Sequence, residues 1–117
     1  MSGSTENTVA VLRAAKDILR TRGWTKHAYA RNKDGEKISA GSEDAVSFCA
    51  LGALGRAQQE SSSETYPTSF RFMEKAAIEL SHLSAAGYND LVTTTIEDIY
   101  RLFDRAIELA ETKNVAS

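Results

Sequence analysis

One thiol, Cys49, and two imidazoles, His27 and His82, are the side chains suited to act as a nucleophile and its base. A cysteine becomes reactive when a helix N-terminus or a nearby cation lowers its pKa, and a histidine beside it can take the proton. The surroundings of Cys49 argue for a plainer role. It falls between Phe48 and Ala50, about two turns into an apolar helical stretch, where a free cysteine behaves as a small buried residue. Nucleophilic chemistry needs the fold to bring His27 or His82 to it. With one cysteine and no histidine at ligand spacing, no metal site is expected, and no motif calls for a cofactor.

Asn89-Asp90 is the other polar pair of interest. Both side chains bond backbone groups readily, which suits a turn ahead of a helix. Alternatively, Asp90 reaches Trp24, Arg56 or the helix of Cys49 and lines a small polar pocket. Arg56 is then a natural bidentate partner, and an Arg56–Asp90 or Arg105–Asp90 pair serves a structural lock as readily as a ligand. Trp24, Tyr29, Tyr66 and Tyr88 can supply an aromatic rim, although aromatics at regular spacing more often fill a core. The candidate binding residues are Trp24, His27, Cys49, Arg56, Tyr88, Asn89 and Asp90. None is assigned a catalytic role.

Several functions lack their signatures. Leu51-Gly52-Ala53-Leu54-Gly55-Arg56 has no following Lys-Ser/Thr and is not a phosphate loop. There is no nucleophile elbow. The formal charge of -2 argues against a general nucleic-acid binder, and Arg20, Arg22, Lys26, Arg31 and Lys33 read as a solvated helix end and hairpin. No apolar run approaches membrane-spanning length, and Met1–Glu6 does not resemble a secretory leader, so a cytoplasmic location is expected.

The elements that must position these residues are mostly helical. Val9, Leu12, Ala15 and Leu19, widened by Val11 and Ile18, predict a helix over Ser4–Arg22, with Lys16 at its edge and Gly23 as its stop. Alternation from Trp24 to Arg31 and the Asp34-Gly35 pair predict a hairpin on a type I′ turn, anchored by Trp24. Ser42 opens a second, central helix running to about Gln59, in which Gly52 implies close approach of another backbone. Glu60–Glu64 is a polar loop. Pro67 falls in the first turn of a third helix, which carries Phe70, Met73, Ala76, Ala77, Leu80 and Leu83 and ends at Gly87. A Thr94–Glu97 capping box opens the last helix, with Ile96, Ile99, Tyr100, Phe103, Ile107 and Ala110 inward. The expectation is one mainly α domain over 1–117: a compact four-helix unit with a small β-hairpin between the first and second helices, and flexible ends at 1–5 and 112–117.

Gly23-Trp24, Asp34-Gly35, Phe48-Cys49-Ala50-Leu51-Gly52-Ala53-Leu54, Tyr88-Asn89-Asp90 and Asp104-Arg105-Ala106-Ile107 occur in this order. Together they resemble an uncharacterised family of small bacterial and bacteriophage proteins, the domain-of-unknown-function family numbered 6197, with Phe48 and Tyr88 where tryptophans are common. The resemblance implies a phage or prophage setting and no particular reaction. The expected function is a small non-catalytic binding protein, a phage-type inhibitor or a sequestering protein that acts on a host protein or a small signal molecule. A small enzyme using Cys49, or Asp90 with Arg56, is the alternative. An assembly subunit, with the apolar helix faces forming a homo-oligomer seam, is the third reading.

Overall fold

The first helix forms because Val9, Val11, Leu12, Ala15, Ile18 and Leu19 share one broad face, and all six are buried. The computed structural model describes residues 2–61 and 66–116, and this helix, α1, spans Ser2–Thr21. The chain leaves it through Gly23, whose φ of +148° suits glycine alone. Lys16 lies at the edge of the stripe, its ammonium 2.8 Å from Asp104 and 5.7 Å from the centre of the Tyr100 ring.

A three-stranded antiparallel sheet follows, one strand larger than the expected hairpin. Strands β1 (Ala30–Arg31), β2 (Lys37–Ile38) and β3 (Ser47–Phe48) are ordered β2-β1-β3, with Ala30 opposite both Ile38 and Phe48. The β1–β2 turn is not type I′. Only Gly35 has positive φ, at +82°, and the Asn32 N–H meets the Glu36 carbonyl at 3.0 Å. Lys33, Asp34 and Gly35 thus form a three-residue loop with glycine at the left-handed position. Asn32 Oδ1 holds it by accepting the Asp34 and Glu36 N–H groups, each at 2.9 Å.

The second helix starts later than Ser42 predicts. Ser42 caps a single turn, accepting the Asp44 N–H at 3.1 Å, but the Val46 N–H then donates to the Arg31 carbonyl at 2.9 Å and draws the chain into β3. Cross-strand pairing with Phe48 buried on its inner side wins over local helix propensity. Helix α2 is Ala50–Ser61, and it is central: Ala50, Leu51, Gly52, Ala53, Leu54 and Ala57 are buried, and it touches α1, α3, α4 and β3. Of the predicted Glu60–Glu64 loop, Glu60 and Ser61 are helical, and Ser62–Glu64 lie outside the described residues.

Helix α3 (Tyr66–Ser81) has Pro67 in its first turn and buries Ser69, Met73, Ala76 and Ala77. Its expected apolar stripe stops there, because Leu80 and Leu83 are exposed where the chain turns away. The turn is made by His82 at φ +63°, not by Gly87. Gly87 belongs to a fifth helix, α4 (Ala85–Asp90), in place of the predicted turn. Helix α5 (Ile96–Ala116) packs on α1 and α3, with Ile99, Leu102, Phe103 and Ala106 buried. Among the described residues no helix is long and apolar enough to cross a membrane.

The capping box of α5 sits one residue beyond the predicted Thr94–Glu97 pair. The Thr95 hydroxyl accepts the Asp98 N–H at 3.2 Å, and the Asp98 carboxylate accepts the Thr95 N–H at 2.9 Å. Thr94 is 5% exposed, and its hydroxyl has no partner among the described residues. Thr95→Ala is therefore expected to lower stability by about 1 kcal/mol, while Thr94→Val is neutral or stabilising. Urea denaturation of both variants checks this, and equal losses would contradict it. The bond from the Thr95 N–H holds the Asp98 carboxyl below its usual range. The cap's charge contribution is thus complete above the ordinary aspartate range and fades as pH falls through the depressed folded value.

Candidate functional site

Helix α4 fixes the polar pair Asn89-Asp90. Ser84 starts it with extended backbone, and its hydroxyl accepts the Gly87 N–H at 3.1 Å. The Glu74 carboxylate of α3 accepts the Ala85 N–H at 2.8 Å and ties the helix to its neighbour.

Asn89 is 1% exposed, and its amide makes four hydrogen bonds. Oδ1 accepts the Trp24 indole N–H at 2.7 Å and the Ala50 N–H at 3.0 Å. Nδ2 donates to the Thr25 carbonyl at 3.1 Å and to Asp90 Oδ1 at 2.9 Å. That is the ordinary full capacity of a primary amide. One side chain thereby joins the segment after α1, the start of α2 and the end of α4.

Cys49 is the residue that caps α2, rather than lying two turns inside it. Its carbonyl accepts the Ala53 N–H at 2.8 Å, and its Sγ accepts the Gly52 N–H at 3.2 Å. Its own N–H donates to the Tyr29 carbonyl at 3.1 Å. The predicted backbone approach at Gly52 is present, in the first turn of the helix: a Cβ there would stand 1.9 Å from the Tyr29 oxygen.

His27 brings the third element. Its φ is +66°, a conformation that only His82 shares among the described non-glycine residues. Its N–H donates to Asp90 Oδ1 at 2.9 Å, and its Nδ1 lies 3.7 Å from Asp90 Oδ2. The strained backbone is thus held by the carboxylate opposite it.

Between these parts opens a cleft of about 360 Å³, lined by His27, Ala28, Tyr29, Cys49, Ala86, Asn89 and Asp90. Burial pushes the Cys49 thiol up, against the lowering effect of the Gly52 and Leu51 N–H groups, so it rests protonated at neutral pH. Burial also opposes ionisation of Asp90. The His27 N–H and the Asn89 amide outweigh it, with help from the charges of His27 and Lys26, and the carboxyl lies below its usual range. The cleft thus presents a neutral thiol and a carboxylate. Among the described residues no cluster of His, Cys, Asp and Glu has the arrangement of a metal site.

Of the predicted binding residues, His27, Cys49, Asn89 and Asp90 converge on the cleft. Trp24 lies behind it as the partner of Asn89, bridging in parallel to Phe48 rather than standing in a hairpin strand. Tyr88 is half-buried and does not line the cleft. The predicted aromatic rim is reduced to Tyr29, since Tyr66 stacks on Phe70 at 6.0 Å.

Arg56 does not reach Asp90. It donates to the Ala40 and Ser42 carbonyls at 3.0 and 2.8 Å and to Glu60 at 2.9 Å. Because α2 begins at Ala50, Arg56 meets the loop that precedes β3, and Arg22 forks onto the same Glu60. Arg105 pairs with Glu79 and Glu108 instead of Asp90. Three more members of the basic cluster are engaged internally: Arg20 with Asp17, Arg31 with Thr25, Gly35 and Lys26, and Lys26 with the Leu91 carbonyl.

The model of the family of unknown function DUF6197 matches residues 3–109. The chain belongs to that family. The matched span of DUF6197 runs from α1 into α5, so every residue of the cleft lies within it. No curated protein and no solved structure matches the chain. Sequence reasoning about this DUF6197 protein missed Ala28 and Ala86 and left Tyr29 out of the binding set. Two alanines carry no chemical signal, and only the bend held by the His27–Asp90 bond brings Ala28 and Tyr29 to the cleft.

Proposed function

We propose that this DUF6197 protein binds a small polar molecule in the His27–Asp90 cleft and acts by holding it rather than by transforming it. The observation that carries this reading is the cleft itself: three separate chain segments, tied through the four bonds of Asn89, present a carboxylate, an imidazole, a thiol and a tyrosine to one opening. The protonated thiol favours binding over nucleophilic turnover. Sequestration of a signal molecule, in a bacterial or phage setting, is the context that the sequence resemblance adds.

Native mass spectrometry of the protein purified from a bacterial host tests the reading. The expected result is a protein mass increased by a small molecule that is absent from His27→Gly. Glycine accepts φ near +66° without strain, so this variant removes the imidazole and keeps the backbone. A bare mass for the wild type, with no change on incubation with a metabolite extract, would count against a ligand-holding function.

A second reading is favoured by one arrangement: Cys49 at a helix N-terminus, in the same cleft as the His27–Asp90 pair, matches the parts of a thiol nucleophile with its base and orienting acid. Iodoacetamide kinetics separate the two. Holding without chemistry predicts that folded Cys49 reacts at least about tenfold more slowly than the unfolded chain at neutral pH. Faster alkylation in the folded state, slowed again by His27→Gly, would favour the enzyme.

A further inference from the structure

We propose that the cleft selects compact planar monocations, namely nitrogen cations of the amidinium, guanidinium or protonated-heterocycle kind. This rests on reading the cleft as a small-molecule site, and it names the class of ligand.

The lining contains one carboxylate and no lysine or arginine. Asp90 Oδ1 is occupied, accepting the His27 N–H and the Asn89 amide. Oδ2 accepts no hydrogen bond among the described residues, and at 3.7 Å from His27 Nδ1 it is beyond hydrogen-bond reach of the imidazole. Lys26 is a cation whose charge Asp90 feels. Its ammonium is held elsewhere, on the Leu91 and Val92 carbonyls and 5.2 Å from the centre of the Trp24 ring. The cleft therefore offers a charged acceptor oxygen that has no hydrogen-bond donor among the described residues, with His27 Nδ1 alongside at 3.7 Å. Charged N–H donors satisfy such an oxygen best, and a planar donor group can use both of its lone pairs.

Shape adds to charge. Tyr29 is 64% exposed, so its ring is open to a ligand, and a cation over a tyrosine face gains further attraction. Ala28 and Ala86 end in methyl groups and place no bulky or charged side chain in the opening. A volume of about 360 Å³ is at the low end for small-molecule sites and fits one ring bearing one charged group. An anion of the same size would meet the Asp90 charge.

Three probes of one shape and different charge test this on the full chain by NMR titration: benzamidinium, benzamide and benzoate. Benzamidinium is expected to shift the His27, Tyr29 and Asp90 amides and to bind at least about tenfold more tightly than benzamide, the margin of one charge-assisted hydrogen bond. Benzoate is expected to shift none of them. Asp90→Asn keeps an acceptor for the His27 N–H and should reduce the preference for benzamidinium to about twofold or less. Tyr29→Ala, at an exposed position, should weaken benzamidinium and benzamide together. Equal binding of benzamide, tighter binding of benzoate, or an undiminished preference in Asp90→Asn would overturn the cation class while leaving a small-molecule site. Silence from all three probes overturns the cation class as well, and if native mass spectrometry also finds a bare protein, the small-molecule site falls with it.

Discussion

Asn89→Ala is expected to destabilise the protein by about 3 kcal/mol or more, because it leaves several polar groups unpaired in or near the core. The Trp24 indole N–H, the Ala50 N–H and the Thr25 carbonyl lose their partner in a single step. The Ala50 N–H belongs to the first turn of α2, where no carbonyl of the helix is available to replace the lost oxygen. Asp90 also loses one of the two donors that keep its carboxyl ionised, so its depressed pKa should move back toward the ordinary range. Urea denaturation gives the stability change, and NMR titration of the Asp90 carboxyl gives the shift. A loss below about 1 kcal/mol would mean that water replaces the amide and that Asn89 is not the tie between the three segments.

Gly52→Ala is expected to cost about 3 kcal/mol, and Gly55→Ala, one turn later in the same helix, to stabilise by up to about 1 kcal/mol. The two glycines differ only in what surrounds them. At Gly52 the added methyl meets the Tyr29 carbonyl at 1.9 Å, and backbone cannot swing aside as a flexible side chain does. The helix must back away from Tyr29, which breaks the Cys49-to-Tyr29 bond and opens the base of the cleft. At Gly55 the nearest atom is Tyr66 Cε2 at 3.9 Å, an ordinary contact, so the alanine gains helix propensity without a clash. Denaturation midpoints of the pair decide it. Losses of the same size at both positions would show that helix geometry, not the Tyr29 approach, sets the requirement.

The helical frame was readable because long amphipathic stripes overdetermine their own burial. The stripe of α1 and the inward residues Ile99, Phe103, Ile107 and Ala110 of α5 lie in the core as their spacing predicts. Short segments were misread for the opposite reason. Glu43–Phe48 has good helix-start residues, yet one strand pairing with β1 draws it out, and a stretch of this length contains no periodicity to oppose that pairing. Gly87 reads as a helix stop, although the stop is the non-glycine residue His82 and Gly87 sits inside the next helix.

The cleft divides along the same line. The residue types were present in the sequence: one thiol, a histidine before the Asp34-Gly35 turn, and Asn89-Asp90 near the start of the last helix. The sequence alone also determined the family, since its match spans residues 3–109. The partners were a matter of tertiary structure. Arg56, a natural mate for Asp90 by chemistry, faces the loop before β3 once α2 starts at Ala50, while His27 is carried to Asp90 by a left-handed bend that is uncommon for any residue but glycine. Which side chains meet is set by hydrogen bonds between residues about forty to sixty-five positions apart in the chain, and a one-dimensional pattern holds no record of them.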